Sequence, residues 1–225
     1  MGFIGGQGVC STLWWPEATL LQLELMTTTS MILPHEMPPT GAPADLAAQL
    51  RADVPEVAAG RTRLRAMRLE DFPAWAEILC SDRARWMDGP YGRDEAFREF
   101  AASAGSWLLH GHGCWTVADP ATDEALGFVC LNMEPSDHET ELGFFLRDGA
   151  EGRGLAFEAA TAARDWAWAQ GLPSLVSYID PANTRSAALA ERLGARRDPA
   201  AEAEFAGTPD EGVAVYRHPR PDDHA

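Results

Sequence analysis

The sequence predicts an α+β fold in which a mixed, mostly antiparallel sheet carries helices on both faces. Candidate strands at residues 114–118, 125–132 and 140–146 follow one another across short connections, as in an antiparallel meander. Residues 71–80 and 94–109 space their apolar side chains three and four positions apart, which is typical of helices. The chain contains no internal repeat.

The remaining elements complete this pattern in chain order. The first strand is predicted at residues 63–67, before the two helices, and the turn between the first two meander strands lies at residues 119–123. A helix at residues 155–170 follows the meander, and strands at residues 175–179 and 212–217 complete the sheet.

A glycine-rich loop joins the last meander strand to the helix that begins near Leu155. Gly149, Gly152 and Gly154 allow tight turns and a close approach of the main chain to a ligand. The first turn of the helix leaves N–H groups unpaired, and its dipole favours negative charge. The loop therefore predicts a binding site for a phosphate or pyrophosphate.

The glycine spacing excludes two common nucleotide sites. A P-loop requires a Lys-Ser or Lys-Thr pair after its glycines, and none follows here. A dinucleotide-binding fingerprint has the order Gly-x-Gly-x-x-Gly near the start of its domain, whereas this loop comes after three candidate antiparallel strands.

The segment from Glu151 to Ala156 resembles the pyrophosphate loop of the GNAT superfamily, the acyl-CoA-dependent N-acetyltransferases. That family's consensus is Gln/Arg-x-x-Gly-x-Gly/Ala. Gly154 and Ala156 match it, and Glu151 departs at the first position. The resemblance implies that acetyl-CoA is the co-substrate.

A second motif follows the strand at residues 175–179. Local signals predict a helix with Asp180 as N-cap, Pro181 at its first position and Gly194 as its stop. The segment also resembles the helix beside the thioester arm in GNAT proteins, in the branch that is similar to ribosomal-protein N-acetyltransferases. The matching residues are Asn183, Ser186, Leu193 and Gly194, and the resemblance extends over residues 54–218.

The resemblance implies a cofactor site. In GNAT folds the fourth and fifth strands, here residues 140–146 and 175–179, splay apart and hold the pantetheine arm between them, so main-chain contacts are expected at residues 144–146. The implied cofactor-binding residues are Phe144, Phe145, Leu146, Glu151, Gly152, Arg153, Gly154, Leu155, Ala156, Asn183 and Ser186.

Glu141 is the candidate general base, because family members often carry a glutamate on this strand. The alternative is a glutamate on a solvated strand face, and strand alternation does not decide between the two. His138 and Glu139 are neighbouring alternatives.

The general acid is less obvious, because Ala190 stands where many GNAT enzymes carry a tyrosine. Ser186 is the candidate partner of the thioester sulfur, and Tyr178 is a second candidate acid. The alternative for Ser186 is a hydroxyl that satisfies its own helix turn, and for Asn183 it is simple capping rather than positioning of the cofactor arm.

The composition restricts the partners. The formal net charge of -16 argues against a nucleic-acid partner and favours a cationic substrate, either an amine-bearing small molecule or a peptide. Because CoA is an anion, local positive charge is expected near the loop, with Arg147 and Arg153 as candidates.

Cysteine usage and the absence of a credible export signal predict a cytoplasmic protein with reduced thiols at Cys10, Cys80, Cys114 and Cys130. The cluster from His110 to Cys114 is predicted to be a helix-to-strand turn rather than a metal site, so no metal is expected.

The predicted domain organisation has three parts: an N-terminal extension or linker at residues 1–53, a GNAT-like domain at 54–218 and a tail at 219–225. Residues 1–26 carry no Lys or Arg and are interrupted by Pro16 and Glu17, so neither a signal peptide nor a membrane span is expected. Alternative starts at Met26, Met31 or Met37 remain open, as does a short helix at residues 44–50.

The sequence therefore predicts an acetyl-CoA-dependent N-acetyltransferase that acts on a primary amine by direct attack in a ternary complex. The rival enzymatic hypothesis is a transferase that uses another acyl-CoA or a different acceptor, such as the amine of an amino acid or an antibiotic. A catalytically silent CoA-binding or interaction protein of the same fold is the alternative from another class. No nucleic acid or membrane partner is expected, and a homodimer is left open.

Overall fold

The computed structural model describes residues 32–221 of the 225-residue chain. The chain divides into two compact units, Met1–His35 and Glu36–Ala225. The predictions for residues 1–31 lie outside the described residues. In the second unit, the short helix expected at residues 44–50 is present as a longer helix, Ala42–Ala52. The proposed domain boundaries stay a prediction.

An eight-stranded sheet with the order β1-β2-β3-β4-β5-β6-β8-β7 forms the second unit. The strands are β1 Val57–Ala59, β2 Thr62–Ala66, β3 Cys114–Ala118, β4 Ala125–Asn132, β5 Glu141–Leu146, β6 Val176–Ile179, β7 Arg196–Arg197 and β8 Ala214–Arg217. The α-helices are α1 Ala42–Ala52, α2 Phe72–Leu79, α3 Arg93–His110, α4 Leu155–Ala169, α5 Thr184–Arg192 and α6 Pro199–Glu202.

The strand pairing confirms the mixed, mostly antiparallel sheet. Neighbouring strands pair antiparallel everywhere except between β5 and β6, which are parallel. These two strands share one paired position, Glu141 opposite Val176, and then diverge. The predicted splay between the fourth and fifth strands is therefore confirmed, and these strands are β5 and β6 in the complete sheet.

The two faces of the sheet pack against different helices. On one face, α4 contributes Leu155 and four buried alanines to a core with Val129 and Leu142. On the other, α2 and α3 pack aromatic side chains on the sheet, and Trp75 meets Phe128 edge-on at 4.9 Å between ring centroids. Edge-to-face pairs of this kind add roughly 0.5–1.5 kcal/mol beyond the burial of their area. Both helix layers are thus fixed to the strands that border the splay.

Helix α5 begins later than predicted. Its N-cap is Asn183, whose side chain accepts from the Ser186 N–H at 3.2 Å, and its first residue is Thr184. Asp180 instead accepts from the Ala182 N–H at 2.7 Å and closes a turn ahead of the helix. The prediction of Asp180 as N-cap with Pro181 at the first position is wrong, because the Asp180 turn and the Asn183 cap divide the segment between them.

The end of α5 agrees with the prediction. Gly194 has φ of 89°, and its N–H donates to the Glu191 carbonyl at 2.9 Å. The next N–H, of Ala195, donates to the Ala190 carbonyl at 3.0 Å. This pair of bonds is a Schellman motif, which requires the left-handed conformation that glycine adopts at little cost.

Two cysteines differ from the prediction. Cys114 and Cys130 lie opposite each other in β3 and β4, with Cα atoms 3.9 Å apart, and are joined by a disulfide. The prediction of reduced thiols is wrong for this pair. Cys80 is a free, exposed thiol, and Cys10 lies outside the described residues. The segment between His110 and Cys114 joins the end of α3 to β3, as predicted.

Candidate active site

The splay leaves main-chain groups of β5 unpaired on one side. The Val176 N–H donates to the Thr140 carbonyl at 3.0 Å, and the Ser177 hydroxyl donates to the Leu142 carbonyl at 2.7 Å. Because alternate residues of a strand direct their polar groups to the same edge, the main chain of Phe144 faces the gap. Phe145 pairs across the other edge with Phe128 of β4. The gap-facing main chain of β5 is therefore open at Phe144.

The Glu141 side chain lies at the mouth of this gap. Its Oε1 accepts from the Tyr178 N–H of β6 at 3.2 Å. The pKa of Glu141 is raised to about 8, chiefly by burial. The carboxylates of Asp137 and Glu134 also raise this pKa, and the single hydrogen bond from the Tyr178 N–H lowers it. A carboxyl with a pKa near neutrality is suited to accept and release protons at working pH.

Glu139 and His138, the neighbouring alternatives to Glu141 as the general base, are both engaged by other side chains. The Glu139 carboxylate accepts from Arg217 at 2.6 and 2.7 Å, and this ion pair lowers the pKa of Glu139. The His138 ring contacts Glu204 at 3.0 Å and stacks on Phe205. The geometry therefore favours Glu141 as the titrating group of the cleft.

The glycine loop has the expected conformation at two of its three glycines. Gly152 and Gly154 have φ of 68° and 82°, in the left-handed region, whereas Gly149 belongs to the short 3-10 turn Asp148–Ala150. Gly154 is the N-cap of α4 and supplies no side-chain cap, so N–H groups of the first turn stay open. Arg61 ties the loop to the helix, because its guanidinium donates to the Arg153 carbonyl at 2.5 Å and to Glu158 at 2.6 Å.

Helix α5 presents Ser186 to the same region. The Asn183 side chain caps the helix, as the simpler reading of this residue predicts, while the Ser186 hydroxyl makes no hydrogen bond to another described residue. Ala190 is fully buried against Ile179 and Ala214. The position at which many family members carry a tyrosine is therefore part of the core here.

Tyr178 stands on β6 with its hydroxyl toward the β4–β5 connection. The hydroxyl oxygen accepts from the Glu139 N–H at 3.1 Å, and the ring packs edge-on against Phe205. Burial raises the pKa of Tyr178, so this hydroxyl keeps its proton at neutral pH. A protonated phenol next to the gap remains a candidate acid.

A cleft of about 1100 Å³ brings the predicted site residues together. Of the predicted catalytic and cofactor-binding residues, all except Arg153 line it, whereas the alternatives His138 and Glu139 do not. The predicted residues in the lining are Glu141, Phe144, Phe145, Leu146, Glu151, Gly152, Gly154, Leu155, Ala156, Tyr178, Asn183 and Ser186.

Acidic side chains line the end of the cleft beyond Glu141. Burial raises the pKa of Glu134, and the nearby carboxylates of Asp137, Glu99, Asp88 and Asp210 raise it further. Glu134 and Asp137 are themselves joined, because the Glu134 N–H donates to the Asp137 carboxylate at 2.6 Å. This end of the cleft therefore has a negative potential that favours a cation.

Besides the predicted Arg153, which is exposed within the loop, two arginines that the sequence reasoning missed bring positive charge to the loop. Arg83, on the 3-10 turn Asp82–Trp86, and Arg185, on α5, both donate to the Glu151 carboxylate. The predicted Arg147 instead donates to Glu77 and Glu124 and lines a separate cavity. The sequence placed Arg185 on the predicted helix after β6 but gave no sign of its contact with Glu151. Arg83 carries no local signal for this contact, because it lies 68 residues before Glu151.

The comparisons with known proteins identify the family. Residues 61–196 match a family model described as the acetyltransferase (GNAT) domain, which is more than half of the chain. The chain belongs to the GNAT acetyltransferase family. A solved acetyltransferase from Agrobacterium tumefaciens str. C58 is 38% identical to it, with a TM-score of 0.68 over 74% of this chain and 95% of that one. The protein is accordingly an N-acetyltransferase.

More distant solved structures share the fold. A GNAT-family acetyltransferase from Bacillus anthracis is 20% identical over 72% of this acetyltransferase and 96% of that chain, with a TM-score of 0.58. A ribosomal L7/L12 alpha-N-protein acetyltransferase, solved in complex with coenzyme A, is 17% identical, with a TM-score of 0.59 over 74% of this chain and 98% of that one. The ribosomal-protein acetyltransferases named as a resemblance are therefore among its structural neighbours.

The donor set of the acetyltransferase fits the family's co-substrate, acetyl-CoA. The open main chain at Phe144 suits an amide-bearing arm, and the left-handed glycines with the open first turn of α4 suit a diphosphate. Within residues 32–221, no group of three or more His, Cys, Asp and Glu side chains could hold a metal ion, and no helix is long and apolar enough to cross a membrane.

Proposed function

We propose that this acetyltransferase transfers the acetyl group of acetyl-CoA to a primary amine, carried by a small molecule or a protein N-terminus, by direct attack in a ternary complex. The observation that carries the proposal is the half-buried Glu141 carboxyl at the mouth of the strand gap, held by the Tyr178 N–H at 3.2 Å. Acetyl-CoA, when bound, supplies a thioester whose carbonyl the amine attacks.

Glu141 is proposed to remove the proton of the amine. An alkylammonium group has a pKa of about 10, so a carboxylate of ordinary pKa near 4 is a poor acceptor for its proton. Raising the pKa of Glu141 to about 8 reduces that mismatch by several powers of ten. The burial that makes Glu141 reluctant to ionise is therefore what makes it an effective base.

Ser186 is proposed to protonate or hydrogen-bond the departing thiolate, with Tyr178 as the second candidate. The Ser186 hydroxyl lines the cleft and makes no hydrogen bond to another described residue, which supports this role. Asn183 fixes the helix turn that presents Ser186 and is proposed to position the cofactor arm.

The acidic end of the cleft is proposed to receive the acceptor. Glu134, Asp137 and Asp210 would attract an ammonium group toward Glu141, which supports an aliphatic amine or a basic peptide N-terminus over a neutral acceptor. This charge distribution also separates the two substrates, because the arginines lie at the loop.

Release of free CoA thiol across a panel of amines and basic peptides tests the proposal. The chain contains no lysine, so lysine self-acetylation contributes no background. Amine-dependent thiol release with intersecting initial-rate lines for the two substrates is expected. Parallel lines would contradict direct attack, and CoA binding without release for any amine would support the catalytically silent alternative.

A further inference from the structure

The departure from the family consensus at Glu151 is explained by its partners. The Glu151 carboxylate faces two guanidiniums: Arg83 contacts Oε1, and Arg185 donates to Oε2 at 2.9 Å. The three side chains come from the 3-10 turn Asp82–Trp86, the glycine loop and the first turn of α5. An acidic residue is tolerated next to an anion-binding loop because two guanidiniums offset its charge; Arg83 also contacts the exposed Asp148 carboxylate at 3.2 Å.

Arg83 has hydrogen-bonding capacity that the protein does not use. One of its nitrogens donates to the Leu146 carbonyl at 2.9 Å, which places the guanidinium at the end of the gap-bordering strand. Its Nε is buried and has no acceptor in the described part of the chain. A buried unsatisfied donor costs free energy, and an incoming anion could satisfy it.

Arg185 is the most exposed of the three side chains. Its side chain is 75% exposed, whereas those of Arg83 and Glu151 are 28% and 26% exposed. An exposed ion pair contributes little to stability, so Arg185 can exchange its carboxylate for another anion at small cost. A guanidinium is well suited to the exchange because it binds phosphate oxygens through two parallel N–H groups.

We propose that Arg83 and Arg185 bind the diphosphate of acetyl-CoA, and that Glu151 holds both guanidiniums at the loop until the diphosphate displaces it. Glu151 then acts as an internal competitor of the ligand. The open N–H groups of the first turn of α4 and the two arginines would then share the contacts to the diphosphate. This inference rests on the proposed use of acetyl-CoA.

The proposal is tested by calorimetric dissociation constants for three ligands: CoA, dephospho-CoA, which retains the diphosphate, and pantetheine, which lacks it. The variants are Glu151→Gln, Arg185→Gln and Arg83→Gln. Arg98→Gln, on the exposed face of α3 outside the cleft, is the control with the same change in net charge as the two arginine variants. Thermal unfolding of each variant checks that it is folded.

Removing Glu151 is expected to tighten CoA and dephospho-CoA binding about threefold to tenfold, and removing Arg185 to weaken both about tenfold, in line with exposed charge-assisted hydrogen bonds. The dissociation constant for pantetheine should be the same in all variants, and Arg98→Gln should bind all three ligands as the wild type does. Weaker CoA binding by Glu151→Gln, or an unchanged dissociation constant for Arg185→Gln, would overturn the inference alone. Failure of the wild-type protein to bind CoA would overturn the proposed function as well.

Discussion

At the scale of single residues, the fold changes the ionisation of two side chains near the gap between β5 and β6. Glu141 has its pKa raised to about 8 and His218 has its pKa lowered to about 4, in each case chiefly by burial. The two groups lie near the branch point of β5 and β6, because the Ser177 hydroxyl contacts both the Leu142 carbonyl and the His218 ring. Burial thus disfavours charge at both groups, with opposite effects on their pKa.

The pH dependence of catalysis follows from Glu141. The proposed base must be ionised to act, so kcat/KM should rise with pH, reach half of its maximum near the pKa of about 8 and level off above it. Initial rates measured between about pH 5.5 and 9.5 test this. The Glu141→Gln variant should lose roughly 100- to 1,000-fold in rate. Its rate should also lack the rise with pH that the ionisation of Glu141 causes in the wild type. Glu139→Gln is the control and should keep the pH dependence of the wild type. Loss of that pH dependence in Glu139→Gln would instead identify Glu139 as the base.

The pH dependence of stability follows from His218. The pKa of His218 is about 4 in the folded protein, against 6.5 for an ordinary histidine. Because the unfolded chain binds the proton first, stability falls as pH decreases from 6.5 to 4, by about 3 kcal/mol in total. Urea unfolding at several pH values should show this loss in the wild type relative to His218→Asn, in which the difference should vanish. Equal slopes for both proteins would contradict the assignment.

At the scale of elements, a buried ion network ties β2 and β3 to the start of α2. Arg65 donates to Asp71 at 2.7 and 2.8 Å, and Thr116 donates to the same carboxylate at 2.7 Å. Asp123 joins the network from the β3–β4 turn, where Arg65, Arg68 and Arg63 outweigh burial and lower its pKa to about 2. The network fixes β2, β3 and the entry to α2 together.

Removal of Asp71 should be strongly destabilising. The Asp71→Ala substitution leaves the buried Arg65 guanidinium without its two-oxygen partner, which typically costs about 3–5 kcal/mol. The exposed pair of Arg63 and Glu56, at 3.5 Å, provides the matched control. Glu56→Ala should change the unfolding free energy by less than about 0.5 kcal/mol. A loss below about 1 kcal/mol for Asp71→Ala would show that the network contributes little.

The sequence predicted most elements because their signals are local. The bounds of β3 and β4 match the prediction, α3 is one residue longer at each end, and α4 ends one residue earlier. The short edge strands β1 and β7 were missed, since two or three residues carry no period. The start of α5 was wrong because both Asp180 and Asn183 are good capping residues, and only the folded chain decides between them.

The candidate site was predictable in part for the same reason. The loop, Glu141 and Ser186 belong to continuous segments, so a resemblance could locate them. Arg83 could not be found, because it meets Glu151 only through the packing of a distant turn against the loop. The Cys114–Cys130 disulfide depends likewise on the register of β3 against β4.

At the scale of the whole molecule, the charge distribution divides the cleft. The formal net charge is -16, yet arginines cluster at the glycine loop while carboxylates line the acceptor end. An anionic co-substrate and the proposed cationic acceptor would thereby be attracted to different ends of one cavity. Two substrates of opposite charge can then bind together, which a ternary complex requires.

Ionic strength should separate charged acceptors from less charged ones. Salt screens interactions with partly exposed carboxylates, with a Debye length of about 30 Å at 0.01 M and about 8 Å at 0.15 M. The KM of a dicationic amine should therefore rise more steeply with salt than that of a monocationic amine of similar size. Steady-state kinetics for the two amines at matched ionic strengths test this. Identical salt dependence would show that the acidic end does not recognise the acceptor.

The most direct test of the central claim compares wild type and Glu141→Gln in one preparation, with acetyl-CoA binding measured by calorimetry and thiol release measured with a working amine. The account predicts binding that agrees within about twofold and a rate reduced roughly 100-fold or more. A variant that binds acetyl-CoA and retains the wild-type rate would contradict the assignment of Glu141 as the base.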